Sequence, residues 1–212
     1  MVNLLKYERY STFNSDPLAE APLYFVKYAE VCFLRAEGAL RGWNMGGTAE
    51  HFYNEGIRNS YFEDPENLSY SEFPQYIDEY LKKEKPTAYV QKDPMGGEDW
   101  QSVTKIGVKW NEADDREVKL EKIITQKYIA LFPLSTEAWT ELRRTGYPKL
   151  FPVLNPEDGD GTLDNGDVIR RIPWLPTDPQ GQSIVDRSGL HALGGADFQG
   201  TRLWWDVAAP NF

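Results

Sequence analysis

Cysteine is almost absent. Cys32 is the only one in 212 residues, so no disulfide can form within the chain. It sits between Val31 and Phe33, where a thiol packs as a small hydrophobe instead of reacting. Basic clusters are missing too. The formal net charge is −10, and Lys and Arg come singly or in pairs such as Lys82-Lys83, Arg143-Arg144 and Arg170-Arg171. Such spacing offers no positive stripe to a phosphate backbone and excludes nucleic acid as a partner. No apolar run approaches the length that a bilayer demands. The opening segment, MVNLLKYERYSTFNSDPL, has Lys6, Glu8 and Arg9 and no apolar core, so it does not read as a signal peptide. Catalytic signatures are lacking as well. The two histidines, His51 and His191, stand far from any candidate nucleophile, and no Gly-x-Ser-x-Gly elbow, His-Glu-x-x-His or P-loop occurs. The expectation is a protein that binds and does not catalyse.

Aromatics, by contrast, are plentiful: 14% of the chain, with seven Trp and twelve Tyr. Helical periodicity dominates residues 22–148. Phe25, Ala29, Cys32, Ala36, Ala39 and Trp43 recur at steps of four and three, which predicts one buried helix face. Lys27, Glu30, Glu37 and Arg41 fall opposite, on what reads as the solvent side, with Glu37 and Arg41 spaced to pair across a turn. Thr48 is placed to cap a second helix bearing Ala49, Phe52, Tyr53, Gly56 and Ile57. Two such helices resemble a tetratricopeptide (TPR) unit, without the repeat that would make an array. Ser71 is placed to cap a short helix with Phe73, Ile77 and Tyr80. Asp114-x-x-Glu117 reads as a capping box for a long helix over 115–132, with Leu120, Ile123, Ile124, Tyr128, Leu131 and Phe132 on one side. Another helix is expected from Ser135 to Arg144, stopped by Gly146 and Pro148. Residues 149–212 turn rich in Pro and Gly and read as an irregular tail wrapped over the helices, anchored by Trp174, Trp204 and Trp205. The chain is thus expected to be a single, mainly α domain, 1–212.

Two kinds of site are candidates. Carbohydrate recognition needs an aromatic face under a sugar ring and polar partners beside it. Trp100, flanked by Asp99 and Gln101, offers both; Trp174 in the tail and Trp43 at a helix end are further choices, with core packing the alternative for each. Ca²⁺ needs several oxygen ligands from one loop. Asp158, Asp160, Asp164 and Asp167 supply carboxylates, but Leu163 stands where an EF-hand requires glycine, so a solvated acidic turn is the competing reading.

Four blocks, in order, resemble the SusD/RagB family in its SusD-like branch: KYAEVCFLRAEGALRGW (27–43) with AEHFYNEGIRNSY (49–61), KLEKIITQKYIALFPLSTEAWTELRRTGYPKL (119–150), RRIPWLPTD (170–178) and LGGADFQGTRLWWD (193–206). The resemblance implies a helical scaffold of TPR-like pairs in an α-α superhelix. It implies a cell-surface outer-membrane lipoprotein that binds nutrient, usually oligosaccharide and in some cases peptide, and sits as a lid over a TonB-dependent SusC-like transporter. Family members are more than twice as long and begin with a signal peptide and a lipidated cysteine. The chain is therefore expected to be a carboxy-terminal portion, with anchor and leader outside it. The family's RR-x-x-Y-P-x-x-E-x-x-x-N segment appears here as Arg170, Arg171, Trp174, Pro176 and Asp178, without the Asn. A TPR-like interaction module with no glycan site of its own remains the alternative.

Overall fold

Small residues at helical spacing let the first two helices approach closely. In a computed structural model, which describes residues 24–61, 73–92, 97, 99–153, 161–164, 166–174 and 179–212, α1 spans Tyr28–Leu40 and α2 spans Ala49–Ser60. Thr48 caps α2 as expected, its hydroxyl accepting from the His51 N–H at 3.1 Å. Gly56 marks the point of closest approach: a Cβ there would lie 2.7 Å from the Phe33 ring of α1. A short α3 follows at Phe73–Leu81, then a two-stranded antiparallel hairpin, β1 (Val90–Gln91) with β2 (Trp100–Gln101). The long α4 is Arg116–Ala130 and α5 is Ser135–Thr145. Gly146, at φ 75°, closes α5 in the left-handed conformation that glycine adopts without strain. The expected cap Ser71 lies outside the described residues.

The molecule is mainly α-helical, with its core where α1, α2 and α4 meet. Ala29, Phe33 and Ala36 of α1 join Phe52, Tyr53 and Ile57 of α2 and Leu120, Ile123 and Ile124 of α4 in one buried cluster. Trp110 and Val108 close it from the loop before α4. The larger apolar side chains among them each contribute about 1.5–3 kcal/mol by leaving water. Tyr53 is wholly buried, yet its hydroxyl is satisfied by the Val108 carbonyl at 2.6 Å.

Several expectations are corrected here. α1 begins after Phe25 and ends before Trp43, and both lie in water, 89% and 63% exposed. The charged side of α1 does not face solvent: Lys27, Glu30 and Glu37 are buried. The reason is that α4 and α5 cover it with opposite charges. Lys127 of α4 pairs with Glu30 at 3.4 Å and with Glu141 of α5 at 3.1 Å. Arg144 bridges Glu141 and Glu37, each at 2.6 Å, and Arg41 reaches Glu37 at 2.8 Å. Burial pushes the Glu37 carboxyl up, but the hydrogen bonds and charges of Arg144 and Arg41 outweigh it and hold the group below the usual carboxylate range. Lys27 Nζ donates to the carbonyls of Ala130 and Phe132 at 3.0 and 2.9 Å, a cation on the negative end of α4. The capping box fails as well. α4 takes Asp115 as its N-cap residue, with no side-chain cap bond; Asp114 instead pairs with Lys122 at 2.6 Å. On α4, Tyr128 is only half-buried and Phe132, beyond its end, is exposed.

The tail carries helix that its composition hid: α6 (Pro179–Ile184), a π turn (Val185–Gly189) and α7 (Leu190–Leu193). Pro179 opens α6, where its missing N–H costs nothing. The last residues are fastened to the helices. Asn211 donates to the Glu117 carboxylate at 2.8 and 3.1 Å and to the Thr145 carbonyl at 3.2 Å. The Phe212 ring lies under Arg116 and Arg41, 4.1 and 4.9 Å away. Trp205 packs beside Arg143 at 4.8 Å. Trp204 is no anchor; it is 88% exposed.

Candidate functional site

A sugar-binding surface needs indole faces that water can reach and polar groups held still beside them. The best-formed example among the described residues lies in the tail. Arg171, Trp174, Leu190, Leu193, Asp197 and Trp204 surround a cavity of about 310 Å³, at the small end of ligand pockets, which run to about 300–1,000 Å³. Asp197 organises it. Its carboxylate accepts from the Trp174 backbone N–H at 3.0 and 3.2 Å and forms an ion pair with Arg171. Gly194, at φ 74°, ends α7 and turns the chain toward Asp197. Arg170 and Arg171 also donate their backbone N–H groups to the Gln199 carbonyl, at 2.9 and 3.3 Å, tying the two tail segments together. Trp174 is 45% exposed, so each indole of the cleft keeps much of its surface open to a ligand.

The sequence-chosen residues are distributed differently from this. Trp174 lies in the cleft. Trp100 sits on β2, half-buried, with its indole N–H enclosed and given no acceptor. Of its neighbours, Asp99 pairs with Lys92 at 2.5 Å across the hairpin, and Gln101 is exposed. Trp43 stands exposed after α1, against Gly38. Arg171 and Asp197 are not among the residues the sequence singles out as ligand contacts, and Trp204, expected to anchor the tail and so a poor choice for ligand, lines the cleft instead. The RR pair at 170–171 was the available signal for Arg171; Asp197, far along the chain, gave none.

For the metal candidates, Asp158 and Asp160 lie outside the described residues. Asp164 is exposed, its N–H donating to the Asp167 carboxylate at 3.1 Å. Asp167 lines a cavity with Trp139 and Leu142, a mainly apolar setting. Among the described residues no three His, Cys, Asp or Glu side chains are grouped to hold a metal ion.

Residues 3–206 match the family model described as SusD-like, Susd and RagB outer membrane lipoprotein. The chain belongs to the SusD-like family. Solved members share its fold. A chitin-binding SusD homolog from Flavobacterium johnsoniae is 44% identical with a TM-score of 0.76, over 90% of this chain and 38% of that one. A SusD homolog from Bacteroides uniformis is 37% identical at the same TM-score, over 88% and 38%. One from Bacteroides thetaiotaomicron is 36% identical, again at 0.76, over 94% and 44%. The SusD-like chain therefore spans about two fifths of the length of these relatives. No curated protein matches it. No described helix is long and apolar enough to cross a membrane.

Proposed function

We propose that this SusD-like chain belongs to a cell-surface nutrient-binding lipoprotein that captures an oligosaccharide for a SusC-like TonB-dependent transporter. Capture without turnover is the role that its residues suit. The observation that carries the ligand half is the cleft, where two exposed indoles flank the fixed Arg171–Asp197 pair. Indole faces stack on the C–H faces of a pyranose, and the ion pair supplies donors and acceptors for ring hydroxyls. The chitin-binding relative at 44% identity makes β-linked N-acetylglucosamine oligomers the first ligands to try. In this reading residues 22–148 form one domain's TPR-like scaffold and residues 149–212 wrap it, so the cleft belongs to the wrapping tail.

A second observation favours an additional protein-binding role. Tyr28, Val31 and Leu34 of α1 are exposed in a row, with Phe25 and Val26 just before them. An apolar stripe on a TPR-like helix is what a transporter or a preceding part of the same protein would cover.

Isothermal titration tests the cleft. Chitooligosaccharides are expected to bind with micromolar to millimolar affinity, about −4 to −8 kcal/mol, with no new sugar products on chromatography. Trp174→Ala and Trp204→Ala are each expected to weaken binding roughly tenfold, the loss of one stacking face at about 1–1.5 kcal/mol. Trp100→Ala should leave affinity unchanged if the chain stays folded. Loss at Trp100 with none at Trp174 or Trp204 would move the site to the hairpin; hydrolysis by pure protein would end the binding-protein reading.

A further inference from the structure

We infer that a second cavity, under the carboxy-terminal end of α5, is a site for an oxyanion, the carboxylate or sulfate group of an acidic saccharide. The cavity measures about 390 Å³ and is lined by Arg143, Arg144, Arg170 and Arg202 over an apolar floor of residues 207–210. None of its lining residues is acidic, in a chain whose formal charge is −10. Such a local reversal of sign is a field that gathers anions.

The arginines are incompletely neutralised. Arg170 and Arg202 share a single oxygen of buried Asp206, at 3.4 and 2.5 Å. Arg144 is matched within its own network, where Glu30, Glu37 and Glu141 balance Lys127, Arg41 and Arg144, so the surplus positive charge is carried by Arg143, Arg170 and Arg202. Arg143 is 6% exposed, and its hydrogen bonds go to neutral acceptors: the carbonyls of Trp139 and Arg170 and the Thr140 hydroxyl. Its guanidinium lies 3.5 Å from the Trp139 ring and 4.8 Å from that of Trp205. These bonds use three of its five N–H donors. Burial pulls the Arg143 pKa down, only partly opposed by the Asp206 charge, and an arriving anion would relieve that cost. Guanidinium forks match the two oxygens of a carboxylate or sulfate in geometry as well as charge.

A ligand that presents its oxyanion to the spare N–H groups and lays C–H surface on the apolar floor of residues 207–210 fits this cavity, and that describes an acidic sugar. In naming a sugar as carrier the inference rests on the nutrient-binding reading; the oxyanion site does not. Its lining shares no residue with the cleft of Trp174 and Trp204.

Calorimetric titration of the 212-residue chain with glucuronate, glucose and inorganic sulfate at low ionic strength tests the site. Glucuronate is expected to bind at least tenfold more tightly than glucose. Two variants should each remove that preference. Arg202→Gln deletes a half-exposed cation, and Ala208→Glu places a carboxylate in the cavity while leaving every ion pair intact. Both should keep neutral chitooligosaccharide binding at the tryptophan cleft. Glucuronate binding no tighter than glucose, with sulfate silent, overturns the site. So does a glucuronate affinity that folded Ala208→Glu leaves unchanged. Sulfate binding that Ala208→Glu abolishes, with glucuronate silent, keeps the oxyanion site and rejects the sugar as its carrier. Failure of neutral sugars alone would reject the tryptophan cleft and leave this site standing.

Discussion

Glu37→Ala is expected to destabilise the chain by about 3 kcal/mol at neutral pH, read by urea denaturation. Removing one partner of a buried pair costs about 3–5 kcal/mol, because the other charge stays behind in poorly solvating surroundings. Here two charges stay behind, Arg41 and Arg144. The lower figure applies because the Arg144 side chain is 31% exposed and retains Glu141. The double variant Glu37→Ala/Arg144→Ala should lose less than the two single losses added together, since the pair is coupled. The effect also has a definite pH dependence. The Glu37 carboxyl titrates lower in the folded chain than in the unfolded one, where it lies at about 4.5. Its contribution is therefore complete above that value and is lost as pH falls through it toward the lower folded value. The gap between wild type and Glu37→Ala should close on acidification over that window. A gap that stays constant, or a loss below about 0.5 kcal/mol at neutral pH, would mean the pairs contribute nothing net.

Ile124→Ala is expected to cost about 2–5 kcal/mol, the range for emptying a large aliphatic site in a packed core. Ile124 is almost wholly enclosed and belongs to the cluster that joins α1, α2 and α4. Five residues on, Ile129 points outward and is exposed; the same substitution there should stay within about 0.5 kcal/mol. Equal effects at the two positions would show that the helix face has been assigned wrongly.

These two variants also mark what the sequence made legible. Ile124 was readable because an apolar residue at helical spacing has one comfortable place, the interior. Glu37 was not. A carboxylate on a helix has the same local pattern whether it faces water or an arginine more than a hundred residues away, and α1 was read as turning its charges outward. Phe25 and Trp43 extended the apolar period past both true ends of α1, where nothing in a periodic pattern marks a stop. In the tail, Trp174 stood out as a tryptophan with no helix to bury it. Asp197, which fixes its backbone and holds Arg171, could be found only once the two segments were side by side. Trp204 and Trp205 read alike as anchors in the sequence, but they occupy a turn closed by the Asp206 N–H on the Leu203 carbonyl, and only Trp205 packs on Arg143 while Trp204 faces solvent. α6 and α7 were hidden by Gly181 and Gly189, which dilute helical preference without abolishing it.

The run of alternating charges from Glu30 through Lys127, Glu141, Arg144 and Glu37 to Arg41 bears on how the molecule opens. Lifting α4 away would strand Glu30, lifting α1 would leave Lys127 and Arg144 sharing Glu141, and lifting α5 would break the bridges to Lys127 and Glu37, so partial separation is penalised more than the apolar contacts alone would require. The three helices should therefore open as one cooperative unit, their slowest amide protons exchanging at a common free energy. Residues 179–193, which carry no member of that run, should exchange from a separate and more accessible opening.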